Sequence, residues 1–254
     1  MKIVSLNVWN GGRLFEQAKQ FLVEQQADIY FLQEVYDGKR TDIEPRFRMV
    51  EELKKVFPTH EAYFAPAYLD TRKEEGDIED GNLLLSRWPL INRQNIFIDI
   101  PYGTYEQDTM TDWSKSPSTI QKAQVEIEGK IITLLNVHGP WNLNGTIDDE
   151  RRGKMKDLIL KEISEHTILA GDFNVRPETN TIRGIEEKMI NVFKGTLSTT
   201  FNLQRKNLDV RPGYATAVVD MIFLTPNFKI QSKLCPQVDV SDHLPLVADI
   251  DLTA

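Results

Sequence analysis

Short apolar segments recur from one end of this chain to the other, and many of them stop at a polar residue for which a hydrophobic core has no use. Ile3-Val4-Ser5-Leu6 runs into Asn7, and Ile29-Tyr30-Phe31-Leu32 runs into Gln33-Glu34. The segment Ile131–Val137 ends at Asn136-Val137-His138, and Thr167-Ile168-Leu169-Ala170 leads to Asp172 and Asn174. Asp220 interrupts Val218-Val219-Asp220-Met221-Ile222-Phe223, and Asp242-His243 directly precedes the apolar run Leu244–Ile250. Runs this short, bounded by turn residues, read as buried strands rather than helices.

Helical spacing appears between the runs. Leu14, Phe15, Ala18, Phe21 and Leu22 share one face over Arg13–Gln26, and Met155, Leu158, Ile159 and Ile163 form a stripe within Asp148–Ser164. A further helix is expected over Arg48–Val56, ending ahead of Pro58, because the residue before a proline disfavours the helical region. The middle third reads as strands at Leu83–Ser86, Arg93–Ile98, Ile120–Ile127 and Ile131–Val137, the last two closed by Glu128-Gly129-Lys130 as a tight hairpin. Val218–Leu224, Phe228–Ser232 and Leu244–Ile250 complete the set. Strands in runs with helices between them predict stacked mixed sheets flanked by helices. No repeat, low-complexity tract or linker divides the chain, so residues 1–254 are expected to form a single domain.

Composition narrows the function. With 30 Lys plus Arg against 38 Asp plus Glu, the net charge is −8, which argues against coating nucleic acid through a broad basic surface. A bound cation would still let such a chain meet phosphates, since the ion reverses the local field. The lone Cys235 excludes an intramolecular disulfide and Cys-based metal patterns. No apolar stretch reaches the roughly 20 residues of a membrane span, and the N-terminal run is too short for a signal sequence, so a cytoplasmic protein without stable membrane association is expected. No protein partner is indicated.

A single carboxylate at a strand end is more often a helix cap or a turn residue than a functional group. Asp172 before Phe173-Asn174 fits such a turn, and His138 beside Gly139-Pro140 fits a loop histidine. The conjunction of Asn7, Glu34, His138, Asp172, Asp220 and Asp242-His243 in one chain outweighs those separate readings. Charges buried without a partner cost several kcal/mol even after relaxation. They therefore pair with one another or meet a cation. Carboxylates, amides and scattered histidines suit a hard divalent ion such as Mg²⁺ better than a closed zinc site.

The ordered set LNVWN (6–10), LQEV (32–35), GNLLLSR (81–87), LNVH (135–138), LAGDFN (169–174), VDMIF (219–223) and SDHLPL (241–246) resembles the endonuclease/exonuclease/phosphatase family. The resemblance implies a four-layered α/β sandwich, two mixed β-sheets packed face to face with helices outside and a site at one rim. It further implies Glu34 as principal Mg²⁺ ligand, with Asn7 and Asp242 assisting and Mn²⁺ as a substitute ion. Asp172 would activate the attacking water and Asn174 would bind a phosphate oxygen. His243, held by Asp220, would contact the phosphoryl group, with His138 as a second imidazole whose carboxylate partner is expected at Asp80 or Glu79. Trp9 and His138 depart from the abasic-site endonuclease branch, which has Asp and Tyr at those places.

The leading expectation is a Mg²⁺-dependent phosphodiesterase or nuclease acting on DNA or RNA. Lys39, Arg40, Arg205, Lys206 and Arg211 are candidates for flanking phosphates, and Tyr102, Tyr105 and Trp113 in the loop 100–118 for stacking. The alternatives are a phosphatase or phosphodiesterase of a small or lipid-derived phosphoester, of inositol phosphate or sphingomyelin type, and an inactive binding module.

Overall fold

The computed structural model describes residues 1–105, 116–142, 145–206 and 216–253. Two β-sheets form its centre. The first contains β1 (Lys2–Asn7), β2 (Ile29–Gly38), β3 (Glu61–Asp70), β4 (Ile78–Ser86), β6 (Thr104–Tyr105), β12 (Phe228–Leu234) and β13 (Leu246–Leu252), in the order β12-β13-β1-β2-β4-β3-β6. The second contains β5 (Ile91–Phe97), β7 (Thr119–Ile127), β8 (Lys130–His138), β9 (Thr167–Asp172), β10 (Ile190–Asn191) and β11 (Asp220–Leu224), ordered β10-β11-β9-β8-β7-β5. Both sheets are mixed: β1–β2 and β8–β9 run parallel while most other pairs are antiparallel. Helices α1 (Phe15–Gln25) and α2 (Met49–Val56) cover the first sheet, and α3 (Glu150–Glu162) and α4 (Asn180–Glu186) cover the second. This is the expected four-layered sandwich.

Three apolar clusters hold the layers together, each built by strict alternation of side chains along the strands. Ile3, Ile29, Phe31, Leu84, Ile132, Leu134, Ile168 and Ile222 meet between the sheets. Val4, Leu6, Tyr30 and Leu32, the residues in between, face α1 and α2 and pack on Phe15, Ala18, Leu22 and Leu53. Leu135, Val137, Leu169, Met221 and Phe223 do the same against Met155 and Ile159 of α3 and Ile182 and Ile185 of α4. Buried apolar surface at about 25 cal/mol per Å² is the main stabilising term for such layers.

The same alternation sets up the site. Followed along the face between the sheets, β1 reads Ile3, Ser5, Asn7, β2 reads Ile29, Phe31, Gln33, and β8 reads Ile132, Leu134, Asn136, His138. On β9 the series is Ile168, Ala170, Asp172, and on β11, taken backwards, Leu224, Ile222, Asp220. The inter-sheet layer thus passes from aliphatic to amide to titratable side chains on approaching one rim. The amides bind each other across the sheets: Gln33 Nε2 donates to Asn136 Oδ1 at 2.6 Å, and Asn136 Nδ2 donates to Gln121 Oε1 and to the Leu32 carbonyl, both at 3.0 Å. Asn82 Nδ2 reaches the Asn136 carbonyl at 3.3 Å.

The short strands β6 and β10 were not anticipated from the sequence, nor were two longer elements. Strand β3 carries Pro66, which cannot donate to a ladder, and the β3–β4 register shifts between Pro66 and Tyr68 to accommodate it. Helix α4 follows the turn at Asn174–Pro177 and is capped by the Thr179 side chain on the Ile182 N–H. The Glu128-Gly129 hairpin is present, with both residues at positive φ (53° and 77°), the geometry of a tight two-residue turn.

Candidate active site

Glu34 sits where β2 loses register with β4, at a shift between Leu32 and Val35, and its backbone is left-handed with φ 57°. The bulge turns this carboxylate toward the rim instead of the core. The turn Trp9-Asn10-Gly11-Gly12 folds over it with four consecutive positive φ values. At Gly11 a Cβ would lie 2.1 Å from the Tyr36 ring, so glycine is required there. In this arrangement Asn10 N–H donates to Glu34 Oε2 at 2.7 Å, and Asn7 Nδ2 donates to Glu34 Oε1 at 2.8 Å. Burial works to raise the Glu34 pKa, but the His138 imidazole and these two hydrogen bonds outweigh it, so the carboxylate is held below its ordinary range.

From the second sheet, parallel pairing of β8 with β9 sets His138 opposite Asp172, and antiparallel pairing of β9 with β11 sets Asp220 opposite the same Asp172. Gly171 permits the close approach: a Cβ there would stand 2.0 Å from the Val137 carbonyl oxygen. Asp172 Oδ1 accepts the Asn174 N–H at 2.8 Å, and its Oδ2 accepts Asn7 Nδ2 at 3.1 Å. Oδ2 also lies 4.0 Å from His138 Nε2 and 3.9 Å from His243 Nε2. Burial and the charge of Asp220 raise the Asp172 pKa to about 6, against the opposing pull of His243 and His138.

His243 is fixed on its other side. Its Nδ1 lies 2.9 Å from Asp220 Oδ2, and the Phe201 ring packs edge-on against the imidazole at 4.6 Å between centroids. Burial would lower the pKa of this ring. The charge and hydrogen bond of Asp220, with Asp242 and Asp172 nearby, outweigh that effect and lift it to about 9. His243 is therefore an imidazolium at neutral pH, aimed by Asp220 toward Asp172. Ser241 ties this loop to β1 by donating its hydroxyl to the Asn7 carbonyl at 2.7 Å.

Asn7, Glu34, His138, Asp172, Asn174, Asp220, Asp242 and His243 are thus gathered at one rim, and most of them line one pocket of about 390 Å³. Its walls are aromatic, with Trp9, Tyr68, Trp141 and Phe201, and Lys206 is the single Lys or Arg among the described lining residues. Three details differ from expectation. Among the described residues, the carboxylates within 4.0 Å of His138 are Glu34 (3.8 Å) and Asp172, not Asp80 or Glu79. Asp80 instead accepts the Tyr68 hydroxyl at 2.9 Å, and burial with the charge of Glu34 pushes its carboxyl well above the ordinary range; Glu79 is taken by Tyr102. Asn7 turns its NH₂, not its oxygen, to the carboxylates, because Oδ1 accepts the Trp9 N–H at 3.0 Å. Among the candidate phosphate contacts, Lys39 pairs with Asp37, Arg40 with Asp42, Arg205 with Asp239 and Lys206 with Asp242. Arg211, Trp113 and the side chain of Tyr105 lie outside the described residues.

One compact donor cluster, Asp172, Asp220 and His243, has ligand atoms within 4.8 Å of one another. As an imidazolium, His243 offsets one of the two carboxylate charges beside it and offers no lone pair to an ion. The Glu34 side differs. An ionised carboxylate open to the pocket, with Asp172 and Asp242 on the same pocket, is an oxygen-rich, acid-excess set that fits a hard divalent cation.

The sequence matches the model of the Endonuclease/Exonuclease/phosphatase family over residues 4–243. The chain belongs to that family. It is accordingly a metal-dependent phosphoric ester hydrolase. No curated protein sequence matches it at significant similarity. Family structures share its fold at low identity. The endonuclease/exonuclease/phosphatase from Beutenbergia cavernae DSM 12333 aligns with TM-score 0.75 and 15% identity over 100% of this chain and 72% of its own. The family structure from Bacteroides vulgatus gives 0.71 and 20%, over 99% and 98%. A mannosyl-6-phosphatase from Bacteroides thetaiotaomicron VPI-5482 gives 0.71 and 13%, over 99% and 100%.

The residues that sequence reading overlooked as a group are Asn82 and Gln121 of the amide layer, and Tyr68 and Trp141 of the pocket wall. Alternation offered a signal for the first pair, since each falls on the inward face of its strand.

Proposed function

We propose that the chain hydrolyses a small phosphorylated molecule held in the rim pocket, with Mg²⁺ as its ordinary ion and Mn²⁺ as a substitute. A bound divalent ion would neutralise charge on the phosphoryl oxygens. Glu34 is the residue best arranged to hold it, with Asp242 on the same pocket. Asn7 orients Glu34 and Asp172 through its amide, and would need to release Trp9 to serve as a ligand itself. Asp172, with a pKa near 6, is suited to take a proton from water at neutral pH. The His243 imidazolium supplies a fixed positive hydrogen-bond donor for the phosphoryl group, and Asn174 and His138 complete the polar wall.

The pocket carries the choice of substrate class. Its volume of about 390 Å³ and aromatic walls suit a compact ligand. Of the basic residues proposed to track a nucleic-acid backbone, Lys39, Arg40 and Arg205 each pair with an aspartate of their own surface. A mannosyl-6-phosphatase shares the fold over the full length of both chains, which is consistent with this reading.

A substrate panel tests it. With Mg²⁺ present, hexose phosphates, inositol phosphates, nucleoside monophosphates and an aryl phosphate are compared with oligonucleotides and plasmid DNA. Turnover concentrated on small phosphoesters is expected. Efficient cleavage of DNA or RNA, with small phosphoesters inert, would overturn the substrate assignment. Inactivity on every phosphoester with either ion would overturn the catalytic reading as well. For a rate that needs Asp172 as carboxylate and His243 as cation, activity rises through about pH 6 and falls through about pH 9.

A further inference from the structure

Among the described pocket residues, Lys206 is the cationic group that none of the roles above employs. Its Nζ lies 2.5 Å from Asp242 Oδ2 and 4.4 Å from the centre of the Phe201 ring. The side chain is 24% exposed, and it lines the pocket. Resting on the small-phosphoester reading, we propose that Lys206 is the substrate-binding cation of this pocket and selects a terminal phosphomonoester over a phosphodiester.

The segment that carries Lys206 is built onto the segment that carries His243. Phe201 and His243 form a β-bridge, Asn202 N–H donates to the Asp242 carbonyl at 2.8 Å, and Leu244 N–H donates to the Thr200 carbonyl at 2.7 Å. Asn202 Nδ2 adds a bond to the Ser241 carbonyl at 3.0 Å, and Arg205 N–H closes a turn on the Asn202 carbonyl at 2.9 Å. The backbone leading to Lys206 is thereby anchored to the His243 segment, and its ammonium reaches Asp242.

An ammonium has three donors, and Asp242 Oδ2 engages one of them. A monoester dianion presents three terminal oxygens and nearly two charges to such a group, whereas a diester presents two oxygens and one charge. In a partly dehydrated pocket that difference in charge is amplified. A lysine that merely neutralised Asp242 would have no reason to distinguish the two esters.

The test uses the full chain as wild type, Lys206→Met and Lys206→Arg, assayed with Mg²⁺ on p-nitrophenyl phosphate and bis(p-nitrophenyl) phosphate. Calorimetry measures Mg²⁺ binding without substrate and inorganic phosphate binding without metal. For Lys206→Met we expect kcat/KM to fall about 10²–10³-fold on the monoester and about tenfold or less on the diester, the scale of losing one charge-stabilising donor. Phosphate binding should weaken while Mg²⁺ affinity stays within a few-fold, and Lys206→Arg should recover most of the monoester activity. Equal losses on both esters, no loss on either, or Mg²⁺ affinity falling in step with activity would overturn the assignment of Lys206. Wild-type protein inert on both esters would instead overturn the small-phosphoester reading beneath it.

Discussion

The amide layer and the acidic rim occupy the same faces of the same strands, one pleat apart, and they put their polar atoms to opposite uses. In the layer, Gln33, Gln121 and Asn136 bond one another and nearby carbonyls across the two sheets, and the atoms left without a partner among the described residues, Gln33 Oε1 and Asn82 Oδ1, belong to neutral amides. At the rim the polar groups are left with demands that their neighbours do not meet. Asp172 and Glu34 approach each other through a single amide, Asn7, and one oxygen of buried Asp220 has no hydrogen-bond partner among the described residues. A neutral amide buried between two sheets is structural when most of its hydrogen bonds close locally. It is a candidate for chemistry when charge is left over for something else to balance.

This contrast makes unlike forecasts for substitutions a few ångströms apart. The largest effects belong to the rim. Asp172→Ala and His243→Ala should each reduce kcat by about 10²–10⁴-fold, the range for losing acid–base assistance, with circular dichroism and melting temperature little changed. Near-normal turnover in either would break the role assignment. Glu34→Ala should raise the Mg²⁺ concentration needed for half-maximal activity by at least about 10–100-fold, the loss seen when only an outer partner of a metal ligand is removed. An unchanged Mg²⁺ titration would remove Glu34 from the ion's ligands.

Asp220→Asn acts at one remove. Without its carboxylate partner, the alkaline limb of the pH–rate profile should move from about 9 toward the ordinary histidine value of about 6.5. A limb that stays in place would mean that His243 is not the group titrating there. Asn136→Leu, in the amide layer, should do the reverse of the rim variants. It leaves Gln33 and Gln121 with unmet bonds and should cost about 1–3 kcal/mol of stability by denaturant unfolding, with kcat per folded molecule nearly unchanged. A large kcat loss without lost stability would erase the distinction between layer and rim.

Much of this was legible in the sequence because strand alternation is a physical rule and not a statistical habit. Apolar runs ending in Asn7, Glu34, His138 and Asp172 announced both the strands and the edge at which they expose polar groups. The conjunction of those residues with Asp220 and Asp242-His243 pointed to a shared site before any pairing was known, and the family resemblance implied that it lies at a rim. What escaped reading depended on cross-strand geometry. Pro66 disguised β3, since the bulge that tolerates it exists only in the context of β4. Asp80 was expected beside His138, but where a buried acid finds its partner is decided by which strand lies next to it, and β3 brought Tyr68. Lys206 was legible only as one of several candidates for flanking phosphates, because the bridge joining its segment to His243 spans residues far apart in the chain.

The most direct trial of the account is Asp172→Asn, which keeps the shape of the side chain and removes its ability to take a proton. Mg²⁺ binding and hydrolysis of an aryl phosphate should be measured on the same protein sample. The account predicts Mg²⁺ affinity within a few-fold of wild type and turnover reduced about 100-fold or more. Turnover close to wild type, or a loss of turnover fully explained by lost Mg²⁺ binding, would contradict it.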